Sequence, residues 1–154
     1  MRKLAGLLAW VAAQWVFAGE PAPTIRTALD AADAATAEDL PLDTRGVDKN
    51  EAILRELEFR VDRMRSGREQ MQQALVNMGS DPNFDPNTRK IFCSAAVSTL
   101  RAPEFFKLLR GKVKTLEKPK NIAQLTPDQV QRFENVKAAI TGLQSAPDMD
   151  CSKI

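Results

Sequence analysis

The chain contains no histidine and no tyrosine, and both of its tryptophans, Trp10 and Trp15, lie near the N-terminus. Histidine is the side chain that changes charge near neutral pH. Its absence excludes nucleophile activation of the Ser-His-Asp or Cys-His kind and deprives any metal site of its commonest ligand. The sequence also lacks a Cys-x-x-Cys pair, a His-Glu-x-x-His helix, a glycine-rich phosphate loop and a haem-attachment motif. No stretch alternates apolar and polar residues for long enough to form a strand, and no segment repeats. These gaps predict a protein that is not an enzyme, holds no metal and needs no cofactor.

What is present begins with an address. Arg2 and Lys3 precede a run, residues 4–18, that is apolar apart from Gln14, and Val16 and Ala18 place small residues before Gly19. That is the tripartite pattern of a secretory signal peptide, residues 1–18, cut before Gly19. About 15 apolar residues fall short of the ~20 that span a bilayer, so a leader is expected rather than an anchor. The destination is periplasmic or secreted, and the leader is bacterial in style. The whole chain carries 22 basic and 20 acidic residues. Loss of Arg2 and Lys3 leaves the mature part formally neutral. In an oxidising compartment the only two cysteines, Cys93 and Cys151, are expected to form one structural disulfide.

The remaining length suits a single domain. Residues 19–47 hold Pro21, Pro23 and Pro41, an alanine-rich run and few large apolar side chains, and residues 19–51 carry eight acidic against three basic residues. Such a segment buries little, which predicts a mobile acidic arm in which the alanine pattern allows one short helix between residues 24 and 38. Residues 48–154 form the helical domain. Its longest element is predicted to start after Asp48, with Glu51 as a capping partner, and to end at Gly79. Leu54, Leu57, Val61, Met64, Met71, Leu75 and Met78 recur at steps of three and four, a coiled-coil-like seam broken at Arg68, and Gly67 is a candidate kink or break. After the Asp/Pro-rich turn at 81–86, a second helix carries Cys93, Val97 and Leu100 inward, flanked by Phe92 and Ala96. A third opens at Pro103 with Phe105, Leu109, Val113 and Leu116, and Pro119 stops it. Thr126, Pro127 and Gln129 bound the last, which runs to about residue 143 with Val130, Phe133, Val136 or Lys137, Ile140 and Leu143 on its face. The predicted class is all-α, a small antiparallel helical bundle of about four helices in which short loops make sequential helices neighbours, with one disulfide and a poorly ordered N-terminal arm.

Three groups of side chains are candidates for function. The first is a basic run on an amphipathic helix, residues 104–118: Lys107, Arg110, Lys112, Lys114 and Lys118, continued by Arg101 and Lys120, against Glu104 and Glu117 as the acids. It suits an acidic protein partner or an anionic membrane surface. The acidic arm could instead cover it. The second is an adaptable apolar edge of Met64, Met71 and Met78 beside Arg68, an arginine that needs partial exposure, an acid across the bundle or an interface. The third is Glu58 with Asp62, a carboxylate pair four residues apart, though Arg55 and Arg65 flank it and solvated acids on a helix face are the ordinary case. The leading expectation is therefore an exported, non-catalytic protein that binds another envelope or secreted protein, as an inhibitor, immunity factor or assembly accessory does. A peripheral membrane protein using residues 104–118 is the alternative, and a carboxylate hydrolase the third. Nucleic acid is disfavoured by export and by the lack of interleaved Tyr and Trp. Monomer and homodimer both remain open.

Overall fold

In a computed structural model the described residues are 24–79, 85–100, 103–146 and 150–153. The expected signal peptide and residues 19–23, most of the turn at 81–86, and Arg101 lie outside them. Among the described residues the chain is all-helical: α1 Ile25–Thr36, α2 Lys49–Gly79, α3 Pro86–Leu100, α4 Pro103–Leu116, the single turn α5 Pro119–Ile122, α6 Pro127–Ser145, and a 3₁₀ turn Cys151–Lys153.

The helix ends follow from local chemistry. Asp48 Oδ1 accepts hydrogen bonds from the backbone amides of Asn50 and Glu51 at 2.8 and 3.0 Å, which satisfies two of the free donors that open α2. Asp85 does the same for Asn87 and Thr88 at the start of α3. Thr126 and Gln129 form a reciprocal capping box on α6, with Pro127 in its first turn. Thr24 and Thr27 make the equivalent box on α1, with a threonine hydroxyl in place of the Glu or Gln.

Helix α2 is the axis. Leu54, Leu57, Val61, Met64, Met71 and Leu75 are all buried, as the seam predicts. The other long helices pack on it, and α5 touches it through a hydrogen bond from Asn50 Nδ2 to the Asn121 carbonyl oxygen at 3.3 Å. Gly67 neither kinks nor ends the helix, which is continuous from Lys49 to Gly79. Its lack of a side chain is used for approach. A Cβ at this position would stand 3.0 Å from the Ala28 carbonyl oxygen and 3.4 Å from the Ala32 nitrogen, so α1 crosses α2 at nearly backbone-to-backbone distance.

Two parts of the expected architecture are corrected. From residue 24 onward the alanine-rich segment is not a poorly ordered arm. It is a helix docked antiparallel to α2, with Ala28, Ala32 and Ala35 buried in the common core and Ile25 and Leu29 packed at its edge. The small side chains that looked too poor to bury anything are what permit the close crossing. Nor are the helices simply antiparallel neighbours. Glu51 and Glu58 of α2 pair with Arg132 of α6, and Arg68 reaches Leu143, so α2 and α6 run side by side in the same direction. Pro119 does not only stop α4. It starts α5, and that turn and the loop after it re-aim the chain so that α6 returns antiparallel to α4.

The expected bridge is formed: Cys93 and Cys151 are joined with Cα atoms 5.6 Å apart, closing a separation of 58 residues and fastening the C-terminal turn to α3. A disulfide of this kind fits an oxidising, exported environment. No helix among the described residues is long and apolar enough to cross a membrane.

Candidate functional site

The basic helix divides into an outer row and an inner member. Lys107, Arg110 and Lys114 of α4, with Lys118 just beyond its end, are exposed. At 100° per residue the three on α4 fall within an arc of roughly 60°, and at 1.5 Å per residue they span roughly 10 Å. Lys120 is exposed beyond them on α5. Among the described residues these side chains have no ion pair recorded within 4.0 Å. Lys112 belongs elsewhere: its Nζ donates to Glu56 Oε2 at 2.7 Å, so it holds α4 to α2 and is removed from the candidate surface. Of the two acids in the run, Glu117 lies 3.8 Å from Lys137 of α6, and Glu104 is exposed in the first turn of α4. The docked acidic helix α1 packs on α2 and α3, and the basic row is left uncovered by the described part of the arm.

The apolar half of the same helix is consumed. Phe105, Leu109 and Leu116 are buried in the core, Phe106 nearly so, and the rings of Phe105 and Phe106 meet edge to face at 5.3 Å. The row is therefore a charged edge on a packed helix, with no free apolar face beneath it. At its N-terminal end lies a small pocket of about 290 Å³, lined by Pro103, Phe106 and Arg110 of α4 and by Leu143 and Gln144 of α6. Arg110 belongs to both the row and the pocket wall.

The methionine edge is mostly internal. Met64 and Met71 are fully buried and Met78 is half-buried, so the first two fill the core instead of forming a soft surface. Arg68 is partly exposed, the first of the three expectations, and its guanidinium also donates to the Leu143 carbonyl oxygen at 2.5 Å, near the C-terminus of α6, where helix carbonyls lack partners.

Glu58 and Asp62 line the same cleft between α2 and α6, and there Arg132 engages Glu58. Glu58 accepts a two-pronged interaction from Arg132, with Nε at 2.8 Å and Nη2 at 2.6 Å. Asp62 stands exposed on the rim of a cleft of about 490 Å³ between α2 and α6, whose floor includes Val61, Val136 and Ala139. Among the described residues no cluster of three or more His, Cys, Asp or Glu is arranged to hold a metal ion.

Two charged networks join the helices, of which the sequence reveals the Glu56–Arg60 pair four residues apart. Arg132 also donates to both oxygens of Glu51 at 3.1 Å, and Glu51 accepts further bonds from Gln129 at 2.9 Å and Arg55 at 2.7 Å. The Gln129 hydrogen bond is the largest influence holding the Glu51 carboxyl down at about 2. Partial burial opposes it, and Arg55 and Arg132 reinforce it. Glu51 thus does not complete a capping box with Asp48, because its oxygens are taken by α6. Arg132 in turn is held more firmly protonated, first by Glu58. In the second network Arg60, 3 % exposed, donates to the carbonyl oxygens of Ala35 and Ala37 at 2.8 and 2.9 Å and pairs with Glu56, which also receives Lys112. Burial alone would raise the Glu56 carboxyl, but the bonds from Lys112 and Arg60 together leave it lowered. A signal for Arg60 did exist. Ile53, Leu57, Arg60, Met64, Gly67, Met71 and Ala74 form an unbroken series of steps of four and three, and every member is buried.

Against this geometry, known proteins offer no guide: no family model, curated protein or solved structure matches the chain.

Proposed function

We propose that this is an exported, non-catalytic helical protein that binds an acidic surface of another envelope or secreted protein, as an inhibitor, immunity factor or assembly accessory does. The observation that carries the reading is the row Lys107, Arg110, Lys114 and Lys118. Glu51, Glu56 and Glu58 and their cations Arg55, Arg60, Lys112 and Arg132 are spent on holding helices together. The row is a contiguous set of like charges left facing outward, three on α4 and one just past its end. Export is supported by the leader-like residues 1–18 and by the disulfide.

The alternatives draw less support. Interfacial binding to a membrane needs a helix that offers lipid an apolar face, and Phe105, Leu109 and Leu116 are already in the core. Carboxylate hydrolysis needs Glu58 free to exchange protons, and Arg132 clamps both of its oxygens. The decisive experiment is crosslinking of the oxidised protein in envelope extract beside a Lys107→Glu, Arg110→Glu, Lys114→Glu variant. Saturable capture of one protein by the parent, lost in the folded variant and weakened by salt, is the expected result. Equal capture by both would remove the row from the function, and flotation with anionic vesicles in place of protein capture would favour the membrane.

A further inference from the structure

The basic row and the pocket at its end form one composite surface. Phe106 and Leu143 floor the pocket and keep 9 % and 7 % of their area accessible, while Gln144 and Pro103 on its rim are exposed. At about 290 Å³ it lies at the bottom of the range for small-molecule sites, ~300–1,000 Å³. That is room for one apolar side chain, too little for a sizeable cofactor. Protein interfaces concentrate their affinity in such places: a central apolar anchor enters a pocket, and charged residues at the margin set orientation and approach. Arg110 stands between the two functions, touching the pocket on one side and continuing into Lys114 and Lys118 on the other. The row advances by steps of three and four, the same steps at which acids recur along one side of a partner helix.

Resting on the reading proposed above, we infer that the partner segment is an acidic α-helix laid along α4, carrying one apolar anchor residue that enters the pocket between Phe106 and Leu143 beside a carboxylate met by Arg110. Charge complementarity selects the acidic helix, and the pocket sets its register. A helix with acids alone is attracted to the row but slides along it. The anchor converts that attraction into a single docked position.

The test uses two helix-favouring peptides of roughly 18 residues, long enough to hold helical structure in water. Both carry Glu at every third or fourth position. One has Leu at the anchor position and the other Ala. Titrated into the isotope-labelled, oxidised full chain, the Leu peptide is expected to bind about tenfold more tightly than the Ala peptide, the difference that burying the larger side chain supplies. Its chemical-shift changes should extend to Leu143 and Gln144, with those of the Ala peptide confined to the Lys107 to Lys118 row. Gln144→Trp, a substitution at an exposed rim position that fills the pocket without touching the core, should equalise the two peptides, and Arg110→Glu should weaken both. Equal affinity of the two peptides for the parent, with Arg110→Glu still weakening them, overturns the anchor pocket and leaves the basic row standing. No binding by either peptide at low salt overturns the inference and the acidic-partner reading together.

Discussion

The two sides of α2 are held by opposite means. Toward α1 the contact is made by what is missing from the side chains: Gly67 and Ala28, Ala32 and Ala35 let two helices approach until backbone nearly meets backbone, and one buried arginine, Arg60, closes the end by binding the last carbonyls of α1. Toward α6 the contact is made by full-sized apolar side chains, Phe133, Val136, Ile140 and Leu143, and its margin is spanned by long charged ones, Glu51 and Glu58 to Arg132 and Arg68 to Leu143. The first contact depends chiefly on shape, with Arg60 and its ion pair to Glu56 as its one charged element. The second adds to its apolar packing a larger set of charges whose partners must stay ionised. A helix axis can thus be fastened with little apolar area on one side and with large apolar side chains, charged bridges and an open cleft on the other.

The largest perturbation should come from cutting the covalent tie between the two sides. The disulfide joins α3, which packs on α1 and α2, to the tail that leaves α6. Replacing both cysteines by alanine is expected to cost about 4 kcal/mol in urea unfolding by the chain-entropy relation for a loop of this length, with the slope of the transition retained. Gly67→Leu attacks the close side alone. With a Cβ already 3.0 Å from a backbone oxygen, a branched side chain must push α1 away, and a loss of about 3 kcal/mol is expected, with amide exchange of residues 25–36 accelerated while α6 stays protected.

Arg60→Met keeps the volume of that side chain but strands two buried carbonyls and half of a salt bridge, and about 2 kcal/mol of thermal or urea stability should go with it. The charged side is broken by acid. Because the Glu51 carboxyl sits at about 2 in the folded protein and at 4.5 in its ordinary setting, its stabilisation is full above about pH 5 and is lost as pH falls from there toward 2. Discounted for solvent at the cleft, the loss is about 1–2 kcal/mol, and Glu51→Gln should flatten this part of the stability-against-pH curve. The smallest effect belongs to the row itself: Lys107→Ala with Lys114→Ala should change unfolding by less than about 0.5 kcal/mol, since neither side chain joins either network. A larger change would mean that the row is structural and would weaken the functional reading.

Much of this was legible in the residues. The α2 seam, the ends at Asp48 and Gly79, the Thr126–Gln129 box and the Cys93–Cys151 pairing follow from periodicity, capping chemistry and parity, all of which act within a few residues or on a single pair. The close side was not, because the usual apolar count gives Gly67, Arg60 and the alanines little weight, although their four-and-three spacing marks them as plainly as leucines. Val130 shows the opposite error: it continues the stripe of α6 in sequence yet is 42 % exposed, because α6 turns Gln129 inward to reach Glu51. The direction of α6 was illegible for a further reason. It is set by α5 and by partners as far as 81 positions apart, and no local pattern reports such pairings. As for the candidate surface, the row could be read from charge and spacing, whereas the pocket could not, since it exists only where the C-terminal end of α6 meets the start of α4.

The shared direction of α2 and α6 also orders assembly in time. The α1–α2 hairpin joins residues close in sequence and can form early, whereas α6 must wait until the chain beyond α5 is available to swing back. Its arginine then meets glutamates that emerged long before it. A chain emerging N-terminus first would therefore spend an interval as a hairpin with its Glu51 and Glu58 unanswered and its cleft side bare, and the sulfur bond would act as the latch that ends that interval.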